Sequence, residues 1–335
     1  MVTIITGDCR EILKTLPDAS VNCCITSPPY WGLRDYGFDG QIGLESTPEK
    51  YIEKMVTVFR EVRRILRADG TLWLNLGDSY AATAKNRSVE QAIAKSTIMG
   101  STHNQCSILK QQNKITSGLK PKDLVGIPWM VAFALRADGW YLRQEIIWHK
   151  PNVMPESVRD RCTKAHEYIF LLAKSEHYYF DADAIEESQS EQERTRRIRE
   201  QQTGLRTRYC LARDKEHGQV RPGRNGCARS VETRQTLAQK GTRNRRSVWL
   251  IPNVPGNGEH FATFPPELPL TCMLAGCPEG GTVVDPFGGS GTVGKVAEEY
   301  GRNSILIELN PKYCEMAKKK TAQMGLFARP ADGGN

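Results

Sequence analysis

Apolar and polar positions along the chain alternate in two rhythms, one with the period of strands and one with the period of helices. "VTIITGDC" (2–9) reads as a short strand closed by Gly7 and Asp8, and "REILKTLPDAS" (10–20) as a helix ended by a proline turn. "VNCCIT" (21–26) is a buried strand. In 46–70, Ser46 or Thr47 caps a helix that Pro48 opens. Met55, Val58, Phe59, Val62, Ile65 and Leu66 form its apolar face, and Asp69-Gly70 ends it. A strand follows over 71–80, then a polar stretch over 81–120 that reads as a long loop. The pattern resumes with a helix over 122–139, strands over 141–150 and 167–174, and a short edge hairpin at 177–181. After "SVWLIPN" (247–253) come a proline-started helix (265–277), a strand, glycine loop and helix (282–301), and a last strand and helix (303–324).

Strands alternating with helices on both sides of the middle segment imply an α/β fold, a doubly wound, mostly parallel Rossmann-like sheet. The expected organisation is two halves of one domain, 1–180 and 251–325, a satellite region at 181–250, and a flexible tail at 326–335.

Charge changes this picture. Of 46 Lys and Arg and 38 Asp and Glu, 16 basic and 6 acidic residues lie in 191–248; the remaining 30 and 32 leave the rest of the chain slightly acidic. So concentrated an excess points to a polyanion as partner. No apolar run has the length of a membrane span and the N-terminus shows no signal segment, so a cytoplasmic protein is expected. The ten cysteines form no Cys-x-x-Cys pair, which favours reduced, mostly buried thiols over zinc or disulfides.

Two stretches carry the chemistry. In "VVDPFGGSGTVG" an apolar strand ends in Asp285, and Gly288, Gly289 and Gly291 occupy the turn before a helix, where backbone can approach a ligand closely. Glu308, at the end of the next strand, is placed to accept both hydroxyls of a ribose. The loop lacks the Lys-Ser or Lys-Thr of a P-loop, which argues against nucleotide hydrolysis. The second stretch, "TSPPYW", stops the strand at 21–26 with Pro28 and Pro29 and sends Tyr30 and Trp31 beyond the break. Ser27 and the Pro28 carbonyl are two fixed acceptors, and the Tyr30 ring is a stacking surface; together they suit a planar base with an NH₂ group.

"TSPPYW" near the start, "DPFGGSGT" near the end and a basic insert between them resemble the β class of amino-directed DNA methyltransferases, whose circularly permuted motif order places the catalytic loop first. The resemblance implies S-adenosyl-L-methionine as cofactor and duplex DNA as substrate. Methyl transfer would go to N6 of adenine or N4 of cytosine in a flipped base, in a restriction-modification or orphan epigenetic role. Ser27, Pro28, Pro29 and Tyr30 form the implied catalytic turn. Asp8 of "TGDC" would meet the adenine end of the cofactor, and Phe264 and Pro265 would close over its methionine part. Asp285, Pro286, Phe287, Gly288, Gly289, Ser290, Gly291 and Thr292 would hold its middle, with Glu308 and Asn310 at the ribose. No metal is required. Serine in the first position of the turn leans towards cytosine, although aspartate and serine can both accept from an NH₂ group.

Target recognition is assigned to the insert, through Arg194, Arg196, Arg197, Arg206, Arg208, Arg221, Arg224, Arg243, Arg245 and Arg246, with Trp31 as a further DNA contact. Gln201, Gln202, Asn225 and Asn244 are candidates for reading adenine. Asp78 is a candidate for lining the site or capping a loop. His149, His166 and Glu167 read as structural, and Trp129, Trp140 and Trp148 as core or domain contacts. Relatives of this kind often dimerise, so a second copy of the chain is a candidate partner, and a cognate restriction endonuclease is another. Competing readings are an RNA or protein amino-methyltransferase, a non-catalytic DNA-binding regulator on the same fold, and a nicotinamide dehydrogenase; the last explains neither the proline turn nor the basic insert.

Overall fold

The structure is a computed structural model, and it describes residues 1–33, 35–38, 40–81, 119–190, 241–254 and 264–325. The chain divides into two compact units, one of residues 1–180 with 247–335 and one of residues 181–246.

The described residues of the first unit form eight strands: β1 (Val2–Thr6), β2 (Val21–Thr26), β3 (Leu66–Leu76), β4 (Tyr141–His149), β5 (His166–Ala173), β8 (Val248–Leu250), β9 (Thr282–Asp285) and β10 (Asn303–Glu308). They form one sheet in the order β1-β10-β9-β2-β3-β5-β4-β8. All neighbours are parallel except β3 with β5 and β4 with β5. Among the described residues six helices accompany it: α1 (Cys9–Thr15), α2 (Pro48–Ile65), α3 (Ile127–Ala137), α4 (Glu267–Gly276), α5 (Thr292–Glu299) and α6 (Pro311–Gly325). They form two sets, α1 against α2 against α3, and α4 against α5 against α6. Consecutive β2 residues Cys23, Cys24, Ile25 and Thr26 are all fully buried, so both faces of the sheet are covered there. The doubly wound, mostly parallel fold expected from the alternation is therefore the observed one.

Helix α2 follows its sequence signals. Thr47 caps it, Pro48 opens it, and Tyr51, Met55, Val58, Phe59, Val62 and Ile65 are buried. Its end does not follow them. The helix stops at Ile65, and Leu66 is already extended and paired with Val21. Arg67, Ala68 and Asp69 are exposed, the register shifts between Val21 and Cys23, and pairing resumes at Cys23 with Thr71. Gly70 serves this irregular stretch of strand instead of ending a helix: a Cβ there would lie 3.0 Å from the Arg67 carbonyl and from Leu66 Cβ. The 177–181 hairpin is also absent. Tyr179 N–H donates to the Asp69 carbonyl at 2.9 Å, and Phe180 stacks on Trp73, which spends that segment on covering β3.

In the second unit β6 (Glu187–Ser188) and β7 (Thr242–Arg243) form an antiparallel pair. The 81–120 loop lies outside the described residues apart from Ala81, Leu119 and Lys120, as do the tail 326–335 and residues 191–240 of the insert. Among the described residues no helix is long and apolar enough to cross a membrane. Six of the seven described cysteines are buried and all seven are free thiols.

Candidate active site

Strands β2, β9 and β10 end side by side, and their ends open into one cavity of about 480 Å³. The proline turn after β2 and the glycine loop after β9, 261 residues apart when counted from Ser27 to Gly288, both line it. All residues predicted for catalysis and cofactor binding stand on its wall except Pro265 and Gly291. Pro265 is buried and its carbonyl accepts from Leu268 N–H at the start of α4. Gly291 is a packing residue: at φ +80°, its Cβ would meet Ala317 Cβ of α6 at 2.7 Å.

The glycine-loop side of the cavity is built from two carboxylates. Asp285 is buried, and its Oδ1 accepts from Thr26 Oγ1 at 2.6 Å and Phe287 N–H at 3.0 Å. Burial pushes its carboxyl up to about 7, against the pull of those two donors. Glu308 is likewise raised by burial, with backbone donors opposing. Its Oε2 accepts from Gly289 N–H and its Oε1 from Asn310 N–H, each at 2.8 Å. Each oxygen so fixed keeps a lone pair for a further donor, which fits the paired hydroxyls of a ribose. Tyr36 and Tyr313, edge to face at 6.5 Å, line the cavity with Phe287 and Ile307 and offer apolar surface to an adenine ring. S-adenosyl-L-methionine therefore fits the donor and acceptor set. Asp8 also lines the cavity, but its oxygens are engaged by Arg10, whose hydrogen bonds hold the carboxyl below its ordinary value.

On the proline-turn side, Tyr51 Oη donates to the Pro29 carbonyl at 2.9 Å and anchors the turn to α2. No donor among the described residues meets the Pro28 carbonyl. Ser27 Oγ lies 3.1 Å from Asn75 Oδ1 and 3.3 Å from Tyr30 Oη. Tyr30 Oη in turn lies 3.0 Å from Asn75 Oδ1 and 2.8 Å from Glu167 Oε2. Asn75 is held in orientation by its amide, which donates to the Tyr168 carbonyl at 3.1 Å and Glu167 Oε2 at 3.2 Å. Lys150 pairs with Glu167 and sits 4.1 Å over the Trp148 ring. Burial, then the Glu167 charge, raises the Tyr30 hydroxyl, which stays a neutral phenol. The ring itself lies against Gly77, where a Cβ would come within 2.5 Å of Tyr30 Cε2.

Asn75, Lys150 and Glu167 are site residues that sequence reasoning missed or read as structural. Asn75 carried a signal, a polar side chain inside the apolar run "TLWLNL". Lys150 and Glu167 meet only through the antiparallel β4–β5 register, which pairs Trp148 with Glu167. Trp31 is corrected: it is 1% exposed and its Nε1–H donates to the Glu45 carbonyl at 2.9 Å, so it is core and not a DNA contact. Asp78 lies off the cavity and caps α3 through Gly126 and Ile127 N–H. Trp140 and Trp148 are buried, and Trp129 packs edge-on to Phe170. Of the insert's arginines, Arg194, Arg196, Arg197, Arg206, Arg208, Arg221 and Arg224 lie outside the described residues, with Gln201, Gln202 and Asn225. Arg243 and Arg246 share the carboxylate of Glu187 at 2.7 and 2.6 Å.

Comparison with known proteins gives the same answer over most of the chain. The family model N6_N4_Mtase, described as DNA methylase, matches residues 21–319. The type II methyltransferase M.Cfr9I of Citrobacter freundii is 43% identical over 94% of this chain and 86% of its own length. M.SmaI of Serratia marcescens is also 43% identical, over 95% and 89%. Among solved structures, the cytosine-N4-specific PvuII DNA methyltransferase shares the fold with a TM-score of 0.58 at 17% identity, covering 99% of this chain and 88% of its own. The chain belongs to the N6/N4 family of DNA methylases, enzymes dependent on S-adenosyl-L-methionine.

Proposed function

We propose that this DNA methylase modifies N4 of a cytosine flipped out of duplex DNA, with Ser27 and the Pro28 carbonyl receiving the amino group. The observation that carries the proposal is the hydrogen-bond state of Ser27. Its single proton has two acceptors within reach, Asn75 Oδ1 and Tyr30 Oη, so its lone pairs remain for an incoming N–H. The Pro28 carbonyl offers a second acceptor beside it. Serine rather than aspartate at this position supports cytosine over adenine.

Bound S-adenosyl-L-methionine supplies an electrophilic methyl group on a sulfonium. The chain's own residues make the nitrogen ready for it. An aromatic amine is a poor nucleophile because its lone pair is delocalised into the ring. Ser27 Oγ and the Pro28 carbonyl, as acceptors on its two hydrogens, favour a pyramidal nitrogen whose lone pair would be free to take that methyl group, with one of the held hydrogens passing to water as the surplus proton. Tyr30, held flat by Gly77 and tethered by Glu167, is a stationary platform for the base. Proximity and exclusion of water supply the acceleration.

Recognition of the target sequence is assigned to the arginine-rich insert, and the likeness to type II modification enzymes supports a role in protecting a site from a cognate endonuclease. Expression in a methylation-deficient host, followed by nucleoside mass spectrometry and sequencing of its DNA, tests the proposal. N4-methylcytosine at one short sequence is expected. N6-methyladenine would overturn the choice of base, and DNA without either mark would overturn the function.

A further inference from the structure

The β4–β5 connection carries a feature that the catalytic geometry leaves unused. It begins at the cavity wall, where Lys150 N–H donates to the Ala165 carbonyl at 2.8 Å and closes the neck of the loop. Three pins hold it. Asn152 and Asn253, the latter a cavity residue, exchange hydrogen bonds at 2.9 and 2.8 Å. Lys164 Nζ donates to the Asp78 carbonyl at 3.0 Å. The Arg161 guanidinium lies 4.0 Å over the Tyr80 ring.

Between these pins the loop presents Met154, two residues and at most about 7 Å of chain beyond Asn152. Met154 is 86% exposed, more than any other large apolar side chain among the described residues. Pro155 follows it and stiffens the backbone there. Nothing in the packing explains an apolar side chain displayed on an anchored loop at the rim of the site. The loop's charges add a second observation. Glu156 is paired with Arg161 and Asp160 with Lys122, which leaves Arg159 exposed and without a partner among the described residues. The surplus charge at this rim is positive, as a phosphate backbone requires.

A base rotated into the cavity leaves a gap in the stack and an unpaired partner opposite. Apolar side chains, methionine among them, fill such gaps, and an unbranched thioether adapts to the space between bases. We infer that Met154 is the wedge that enters the duplex where the target base has left, while Arg159 holds the adjacent phosphate. The inference rests on the base-flipping function proposed above.

Met154→Ala, Met154→Leu and the unaltered protein are compared in single-turnover methylation of duplexes carrying the enzyme's own site. The target stands opposite its normal partner in one duplex and opposite an abasic position in the other. Removing the wedge should slow Met154→Ala about tenfold on the paired duplex and about threefold or less on the abasic one, where little stacking is left to break. Met154→Leu should retain the rate, and cofactor affinity by calorimetry should be equal in all three. An unchanged rate for Met154→Ala, or an equal loss on both duplexes, overturns the wedge. Failure of the unaltered protein to methylate any duplex would instead overturn the function on which the wedge rests.

Discussion

Thr26 Oγ1 donates to Asp285 Oδ1 at 2.6 Å, a buried hydrogen bond between residues 259 positions apart. It joins the last residue of β2 to the last residue of β9, and so fixes the serine of the proline turn against the start of the glycine loop. Thr26→Val keeps the shape and removes the donor from a buried carboxylate. A loss of about 1–3 kcal/mol is expected in urea unfolding, together with weaker cofactor binding by calorimetry.

Asp285 also makes stability depend on pH. Its carboxyl is raised from 3.8 to about 7 by burial, so the folded protein binds a proton there that the unfolded chain releases. The resulting stabilisation is complete below about pH 4 and is lost as pH rises through about 7. Asp285→Asn keeps an oxygen for Thr26 and Phe287 but cannot ionise. Without cofactor, the variant should match the unaltered protein below about pH 4, pull ahead from there as pH rises, and exceed it at pH 8 by up to roughly 4 kcal/mol, in parallel urea titrations. Its affinity for cofactor should fall at every pH.

Ser27→Ala removes an acceptor from the base side while leaving Asp285 and Glu308 untouched. The expected outcome is a fall in the single-turnover methylation rate of about a hundredfold. Cofactor affinity, measured by calorimetry, should not change. A parallel loss of cofactor binding would place Ser27 on the other side of the cavity.

Gly77→Ala tests the platform. The added methyl would lie 2.5 Å from Tyr30 Cε2, closer than a Cβ can sit, so the ring is pushed away from the position its hydroxyl holds at Glu167. Methylation should fall about tenfold or more with cofactor affinity preserved, since a displaced ring misplaces the base. A crystal structure of the variant would show the tilted ring directly.

The elements most visible in the sequence were those whose signals are local. Strand β2 and the start of α2 lie where pattern and capping put them. Asp69-Gly70 misled because a glycine needed for close approach inside a strand looks the same, in sequence, as one that ends a helix. The glycine loop and proline turn were legible because each is a contiguous chemical unit. Glu167 was not, since its role depends on which residue of β4 lies opposite and on Tyr30 arriving from the far side of β3. Trp31 was misplaced for a related reason: only the tertiary fold shows the Glu45 carbonyl waiting for its indole.

Strand β1 lies beside β10 and β2 beside β9, so each early strand of this sheet waits for a neighbour far along the chain, Val2 for Ser304 and Cys23 for Val283. Until residue 308 has been synthesised, β1 has no partner and β2 has only β3. The nascent chain therefore carries bare strand edges throughout the synthesis of the long stretch between β3 and β9, a state prone to self-association and slow to resolve. A product cut short before β9 would lack Asp285 and Glu308, and with them two carboxylates of the cavity wall.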